Sequence, residues 1–240
     1  MASPSSALEP ASGPHPLVGV FVSPGAAMDE LVARPRFLVA LLVMTAIGAT
    51  MMGIALQRGA VEASIRQKME SDSRLDQLPA AQKERAMEQG AKFGSYMAGA
   101  MSVVGPTIGL LLSSGLFLLA TNVLLGAQAK FRQMLAVVAH AWLPLSVHGL
   151  IAIPILLSVD PSQVDIQNVV PMSNLSLLFD ASDQKKLYAV ASSIDLFSLW
   201  VMALLAMGLS RLTKKSIGAV LPLILAPWAL YVVVFKALLG

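Results

Sequence analysis

The chain has 240 residues, of which 56% are hydrophobic and only 13% charged, and its mean hydropathy is +0.71. This composition excludes an ordinary soluble globular protein and indicates that lipid surrounds most of the chain. The net charge of +3 comes from basic residues scattered between apolar runs, so contact with anionic lipid headgroups is expected and nucleic-acid binding is not. The absence of cysteine excludes disulfides, thiolate metal sites and cysteine nucleophiles.

The N-terminal region predicts a tail followed by a short helix. Residues 1–16 are rich in Ser, Pro and Ala and carry no Lys or Arg, so we expect a disordered cytoplasmic tail rather than a secretory signal. Ser23 followed by Pro24 is typical of a helix start, and the junction of Arg34 with Pro35 is typical of a helix end. The apolar stretch 17–28 is too short to cross a bilayer, so the sequence predicts a short amphipathic helix in the cytoplasmic interface.

Long apolar stretches dominate the rest of the chain. Crossing the hydrocarbon core takes about 20 mostly apolar residues in a helix, because every backbone amide must be satisfied within the segment. Five stretches meet this requirement: 37–56, 99–125, 135–157, 188–209 and 217–239. The predicted fold class is therefore all-α and integral to the membrane, with residues 17–240 forming a single bundle of five transmembrane helices and short amphipathic interfacial helices.

Residues 57–98, between the first two spans, form a charged insertion with helical periodicity. Oppositely charged residues recur four apart in it, which stabilises an exposed helix. We predict a helical extramembrane segment whose second helix begins near Leu78 and Pro79 and continues into the second span. The loop 159–186 is acidic in its first part and contains a short apolar run, 175–179, that could lie on the outer membrane surface.

Orientation follows from the short connections between spans. Lys130 and Arg132 precede the third span, and Arg211, Lys214 and Lys215 lie between the fourth and fifth, with no acid in either connection. The positive-inside rule places both connections and the N-terminus in the cytoplasm, and the C-terminus on the opposite side. The long charged insertion also carries basic residues, but interleaved acids and its length give it less weight.

Polar side chains inside the predicted spans need a partner or a function, because charge is costly at bilayer depth. Asp195 lies seven residues into the fourth predicted span, and the helical rise places His148 of the third span at a similar depth. His140 and Asn122 are level with each other nearer the cytoplasm. Asp195 and His148 could form a proton or cation path, or an interhelical hydrogen bond that fixes packing. We favour the hydrogen bond, because a transporter more often shows several acids at depth.

Other patterns indicate packing rather than chemistry. Gly105 and Gly109 have the spacing of a small-xxx-small helix contact, which also suits a homo-oligomer. The sequence has no Gly-x-Ser-x-Gly element, no phosphate-binding glycine loop with lysine and no His-Glu-x-x-His. Its three histidines are too separated for a metal site, so we expect no catalytic residue, metal or cofactor.

Three stretches share a pattern with a known family: 20–24 with 30–31 and 34–37; 130–133 with 139–144; and 194–200 running to 208–210. Together they resemble the bacterial branch of the Yip-one domain family, which is named for membrane proteins that interact with Ypt/Rab GTPases. The resemblance implies a five-helix bundle with a cytoplasmic N-terminus. It implies a vesicle-traffic role for the eukaryotic relatives and no catalytic residue.

The resulting hypothesis is a non-enzymatic membrane scaffold or accessory subunit, in membrane trafficking or envelope organisation. We expect it in the bacterial cytoplasmic (inner) membrane, where its partners are the lipid bilayer and other membrane proteins. The alternative hypothesis is a small proton- or cation-coupled transporter centred on Asp195.

Overall fold

The computed structural model describes residues 15–70, 72, 74–166, 168–180 and 183–238, and within these residues the chain forms helices and no strand. Apart from residues 15 and 16, the predicted disordered tail lies outside the described residues. The α-helices are α1 (Pro16–Val22), α2 (Pro24–Ala33), α3 (Leu38–Gln57), α4 (Ala60–Glu70), α5 (Ala80–Leu125), α6 (Phe131–Ala141), α7 (Leu143–Ser158), α8 (Lys185–Ala191), α9 (Leu196–Thr213) and α10 (Ile217–Tyr231). A π-helical turn, Val232–Leu238, continues α10.

Five helical stretches among the described residues are long and apolar enough to cross a membrane: Leu38–Gln57, Ala80–Leu125, Phe131–Ser158, Leu196–Thr213 and Ile217–Lys236. The predicted fold class, an all-helical integral membrane protein with five spans, is therefore confirmed. The third stretch is interrupted at Trp142, where α6 ends and α7 begins. Pro144 lies in the first turn of α7, where its missing backbone N–H leaves no helical hydrogen bond unmade.

The fourth span begins later than the sequence predicts. We placed its start at residue 188, but residues 185–191 form the separate helix α8, and α9 begins at Leu196. Between the two helices the chain turns through Ser192, Ser193 and Ile194, and Asp195 takes the N-cap position of α9. Residues 188–194 are apolar enough to look like part of the span. The turn at 192–194 nevertheless separates α8 from α9, so the span begins only at Leu196.

Helix α5 is 46 residues long, which corresponds to about 69 Å at 1.5 Å per residue. A hydrocarbon core of about 30 Å accounts for less than half of that length, so the N-terminal part of α5 extends beyond the membrane. Pro79 is its N-cap residue, which agrees with the predicted start near residue 79 and the predicted continuation into the second span.

Helix α4 packs antiparallel along this projecting part, with Ile65 against Gly94 and Met69 against Gly90. We call α4 and the projecting part of α5, residues 80–98, the arm.

Helices α1 and α2 both pack on the bundle, although Val18 and Val22 of α1 stay exposed. Helix α2 contacts α6 and α9, and Met28 and Leu31 are fully buried there. Its bounds agree with the predicted start at Pro24 and end at Arg34, although Ser23 makes no side-chain capping hydrogen bond. The predicted short helix is therefore present, and its apolar side packs on α6 and α9.

The two ends of the bundle differ in character. At one end lie the start of α6 and the end of α9, with Lys130, Arg132, Arg211, Lys214 and Lys215, and we call this the basic end. At the other end the described residues of the segment 159–195 fold over the bundle, and we call them the cap. Val164, Val169 and Val170 of the cap are buried in a second apolar cluster, with residues from α3, α4 and α7.

Candidate functional site: polar groups and close contacts at membrane depth

Asp195 is bound by its own helix. Its Oδ1 atom accepts hydrogen bonds from the backbone N–H groups of Phe197 (2.9 Å) and Ser198 (3.0 Å), and its Oδ2 atom accepts one from the Ser198 hydroxyl. The negative carboxylate also faces the positive end of the α9 dipole. The prediction that Asp195 lies inside the span is therefore wrong. It lies at the end of the span, where capping satisfies its charge locally.

His148 lies near Asp195 but is not hydrogen-bonded to it. Its imidazole packs edge-on against the ring of Phe197, with ring centroids 5.1 Å apart. Among the described residues, no hydrogen bond joins His148 to Asp195. The structure therefore brings these two predicted partners to adjoining parts of α7 and α9, and the contact between those parts is aromatic.

His140 and Asn122 each have a local partner. The His140 side chain is buried in α6, and its Nδ1 atom lies 2.9 Å from the backbone oxygen of Ala136, one turn earlier. Asn122 donates to the backbone oxygen of Ala129 (3.2 Å) and accepts from its backbone N–H (3.0 Å). Asn122 thus closes the connection between α5 and α6, beyond Gly126 in its left-handed conformation (φ 63°). Among the described residues, no group of three His, Asp or Glu side chains could hold a metal ion.

Of the two glycines predicted to form a helix contact, only Gly109 faces another part of the bundle. A Cβ atom on Gly109 would lie 3.4 Å from Cη2 of Trp142, which is van der Waals contact with the break between α6 and α7. Gly105 faces its own helix, since the nearest atom to its Cβ position is Cε of Met101 at 3.7 Å.

Sequence reasoning missed a close helix contact at Gly208 of α9. A Cβ atom there would overlap the side chain of Val137 in α6 and lie 3.1 Å from Sδ of Met28 in α2. Three helices therefore meet at this glycine. A lone glycine in an apolar run gives no spacing signal, whereas Gly90 and Gly94 in the arm are four apart and could have been recognised.

Polar contacts fix the helix ends at the basic end of the bundle. Gln133, in the first turn of α6, donates to the backbone oxygen of Val32 (2.9 Å) and so satisfies the C-terminus of α2. Arg211 lies 3.6 Å from Asp29, but both side chains are about half exposed, so this pair adds little stability. The hydrogen bond from Gln133 is the more specific tie between α2 and the bundle.

The cap is held by a network of amides and hydroxyls. Asn168 donates to the hydroxyls of Ser176 (3.1 Å) and Tyr188 (2.9 Å), and it accepts from the side chain of Asn174 (2.7 Å). Asn174 also pairs with Asp195 in an isolated antiparallel bridge. These bonds connect the loop after α7 to the start of α9 and give the cap a defined shape.

Arg58 joins the first span to the end of α7. Its guanidinium donates to the backbone oxygens of Leu157 (2.8 Å) and Val159 (3.1 Å), which are among the unpaired carbonyls at a helix C-terminus. A cation there also complements the negative end of the helix dipole. Arg58 therefore has a structural role at this end of the bundle.

Comparison with known proteins identifies the family to which the chain belongs. The model of the Yip1 domain matches residues 18–238, which is nearly the whole chain. No curated protein and no solved structure matches the chain at a significant level. The match covers all five apolar helices described above and agrees with the resemblance seen in three stretches of the sequence. The chain belongs to the Yip1-domain family, whose members are linked to membrane trafficking and are generally non-enzymatic.

Proposed function

We propose that this protein is a non-enzymatic scaffold or accessory subunit that binds other membrane proteins through its arm, in the bacterial cytoplasmic membrane. The observation that carries the proposal is the length and support of α5. Residues 80–98 extend about 28 Å beyond the apolar part of the helix, and α4 packs along them. A helix fixed in this way stays straight, so it can hold a partner at a set distance from the membrane.

The surface of the arm suits a protein partner. Phe93 is 67% exposed and Tyr96 is 78% exposed, next to the exposed ion pair of Glu88 with Lys92 (2.7 Å). Aromatic side chains beside charged ones are typical of the surfaces that bind other proteins and of the membrane interface. The contacts between α4 and α5 are made at Gly90 and Gly94. They leave the aromatic rings of Phe93 and Tyr96 uncovered.

Photo-crosslinking in intact membranes tests this proposal directly. Since the chain has no cysteine, Arg85→Cys provides a single attachment point on the exposed part of the arm for a thiol-reactive photo-crosslinker. Leu119→Cys, on the exposed side of α5 within the apolar part, is the matched control for random contacts in the bilayer. We expect a discrete crosslinked protein from residue 85 alone. Identical products from both positions, or the chain alone after mild-detergent purification, would argue against a scaffold.

The proposed orientation places the basic end in the cytoplasm and the cap outside. Lys214→Cys at the basic end and Lys186→Cys in the cap are both exposed and test it with a membrane-impermeant maleimide. In intact cells with a permeabilised outer membrane, we expect labelling at residue 186 and none at 214 until the inner membrane is opened. The reverse pattern would invert the orientation, and with it the compartment in which the arm finds its partner.

A further inference from the structure

Two lysines, Lys214 and Lys215, lie in the connection between α9 and α10 at the basic end of the bundle. Both are exposed, and among the described residues neither forms an ion pair. The hydroxyl of Ser210 donates to the backbone oxygen of Lys215 (2.6 Å), and the backbone N–H of Lys215 donates to Oγ1 of Thr213 (3.3 Å). The connection is therefore held in place, and it presents two positive charges that no described carboxylate pairs with.

Lys214 has a left-handed backbone conformation (φ 56°), and within the described part of the chain no other residue except glycine has a positive φ. Helices commonly end in this conformation with glycine, because a side chain adds a steric cost there. Gly59 and Gly126 follow this rule in two other connections, with φ of 75° and 63°. At residue 214 the chain carries a cation in spite of that cost.

An apolar groove on the outer face of α10 begins one turn beyond these lysines. It is lined by Gly218, Leu221, Pro222, Leu225, Ala226 and Ala229. Apart from Leu221, which is half-buried, these residues are exposed at the outside of the bundle. From its first to its last residue the groove extends about 17 Å at 1.5 Å per residue. Half of a hydrocarbon core about 30 Å thick has nearly the same depth, so the groove covers one leaflet, starting from the basic end.

We propose that Lys214, Lys215 and this groove form a site for one anionic phospholipid of the leaflet at the basic end. The phosphate group lies against the two ammonium groups, and an acyl chain follows the groove toward the centre of the bilayer. The charges select the headgroup, because lysines near the membrane surface attract anionic lipids. The length of the groove selects a long acyl chain, which a free phosphate lacks. The site is distinct from the arm and does not depend on the scaffold role.

Native mass spectrometry of the full chain in detergent micelles tests the proposal by counting the lipid molecules that the protein retains. The probes are dioleoyl phosphatidylglycerol, which is anionic, and dioleoyl phosphatidylcholine, which has no net charge. Their acyl chains are identical, so a difference in affinity reports the headgroup. At low ionic strength we expect the first phosphatidylglycerol to bind about thirtyfold more tightly than the first phosphatidylcholine, as two lysines near an anionic headgroup provide. The preference should decrease at high ionic strength because salt screens exposed charges.

Three variants separate a site from a general attraction to the basic end. Lys214→Asn combined with Lys215→Gln is expected to reduce the preference to about threefold or less, and asparagine tolerates the left-handed conformation. Lys130→Gln combined with Arg132→Gln is the matched control, because it removes two exposed cations at the same end that lie outside the groove. It should leave the preference unchanged. Ala226→Phe fills the groove without changing the charge, and it should weaken the first binding of both lipids about tenfold.

Far-ultraviolet circular dichroism checks that each variant folds, and the comparison of variants can contradict the proposal in three ways. Equal affinities of the two lipids for the unaltered protein would exclude recognition of the headgroup. An equal loss of preference in the two double variants would show a diffuse attraction to the whole basic end. Unchanged lipid binding by Ala226→Phe would exclude the groove. Gly218→Leu repeats that last test next to the lysines, where the nearest atom to the Cβ position is Oγ of Ser216 at 4.0 Å.

Discussion

Replacing Asp195 with alanine removes the acceptor for two backbone N–H groups and one hydroxyl at the start of α9. Loss of an N-cap side chain costs about 0.5–2 kcal/mol, and the interaction of the charge with the helix dipole adds about 0.3–1 kcal/mol. We therefore expect Asp195→Ala to lower the free energy of unfolding by about 1–3 kcal/mol. Asp195→Asn keeps an acceptor oxygen and loses only the charge, so its effect stays within about 1 kcal/mol.

Equilibrium unfolding in mixed micelles with increasing dodecyl sulfate, followed by circular dichroism, measures both variants. His148→Ala combined with each of them completes a double-mutant cycle. We expect a coupling energy below about 0.5 kcal/mol, because His148 packs against Phe197 and no hydrogen bond joins it to the carboxylate among the described residues. Equal stability of the alanine variant and the unaltered protein would refute the capping argument. A coupling well above that limit would restore the hydrogen-bonded pair that the sequence suggested.

Two further predictions concern contacts that hold the bundle together, and the same unfolding assay measures them. Gly208→Ala is expected to destabilise the protein by about 1–3 kcal/mol, because the added methyl group overlaps Val137. Gly53→Ala, whose Cβ position is open, is the control and should be neutral or slightly stabilising. Asn122→Ala is expected to lose about 1–2 kcal/mol by leaving the backbone groups of Ala129 unpaired, whereas Asn122→Asp keeps one of the two bonds and should lose less.

Sequence reasoning located the spans well because hydropathy is a local property. It placed the first and fifth spans within one residue of their observed starts, and it also gave the start of α5, where Pro79 ends the preceding turn. The start of the fourth span was missed because Tyr188 to Ile194 continue the apolar run. A polar N-cap residue directly before an apolar stretch is the signal that would have corrected it, and Asp195 provides that signal.

Contacts between distant parts of the chain were not predictable in the same way. The bounds of α2 follow from Pro24 and Arg34, but the burial of Met28 depends on where α6 and α9 pack. The role of Gly208 depends on the same packing. The sequence therefore predicts where the helices begin and end, whereas the contacts between helices are known only from the structure.

The placement of the polar groups bears on the choice between a scaffold and a transporter. A proton or cation path needs titratable groups that hand a charge from one to the next across the membrane. Asp195 is engaged by its own helix end, and His140 is bonded to the backbone one turn away. His148 lies between them in the chain and packs edge-on against Phe197. The hydrogen bonds and ring contact of these three side chains therefore give each of them a local structural role at a helix end or between helices.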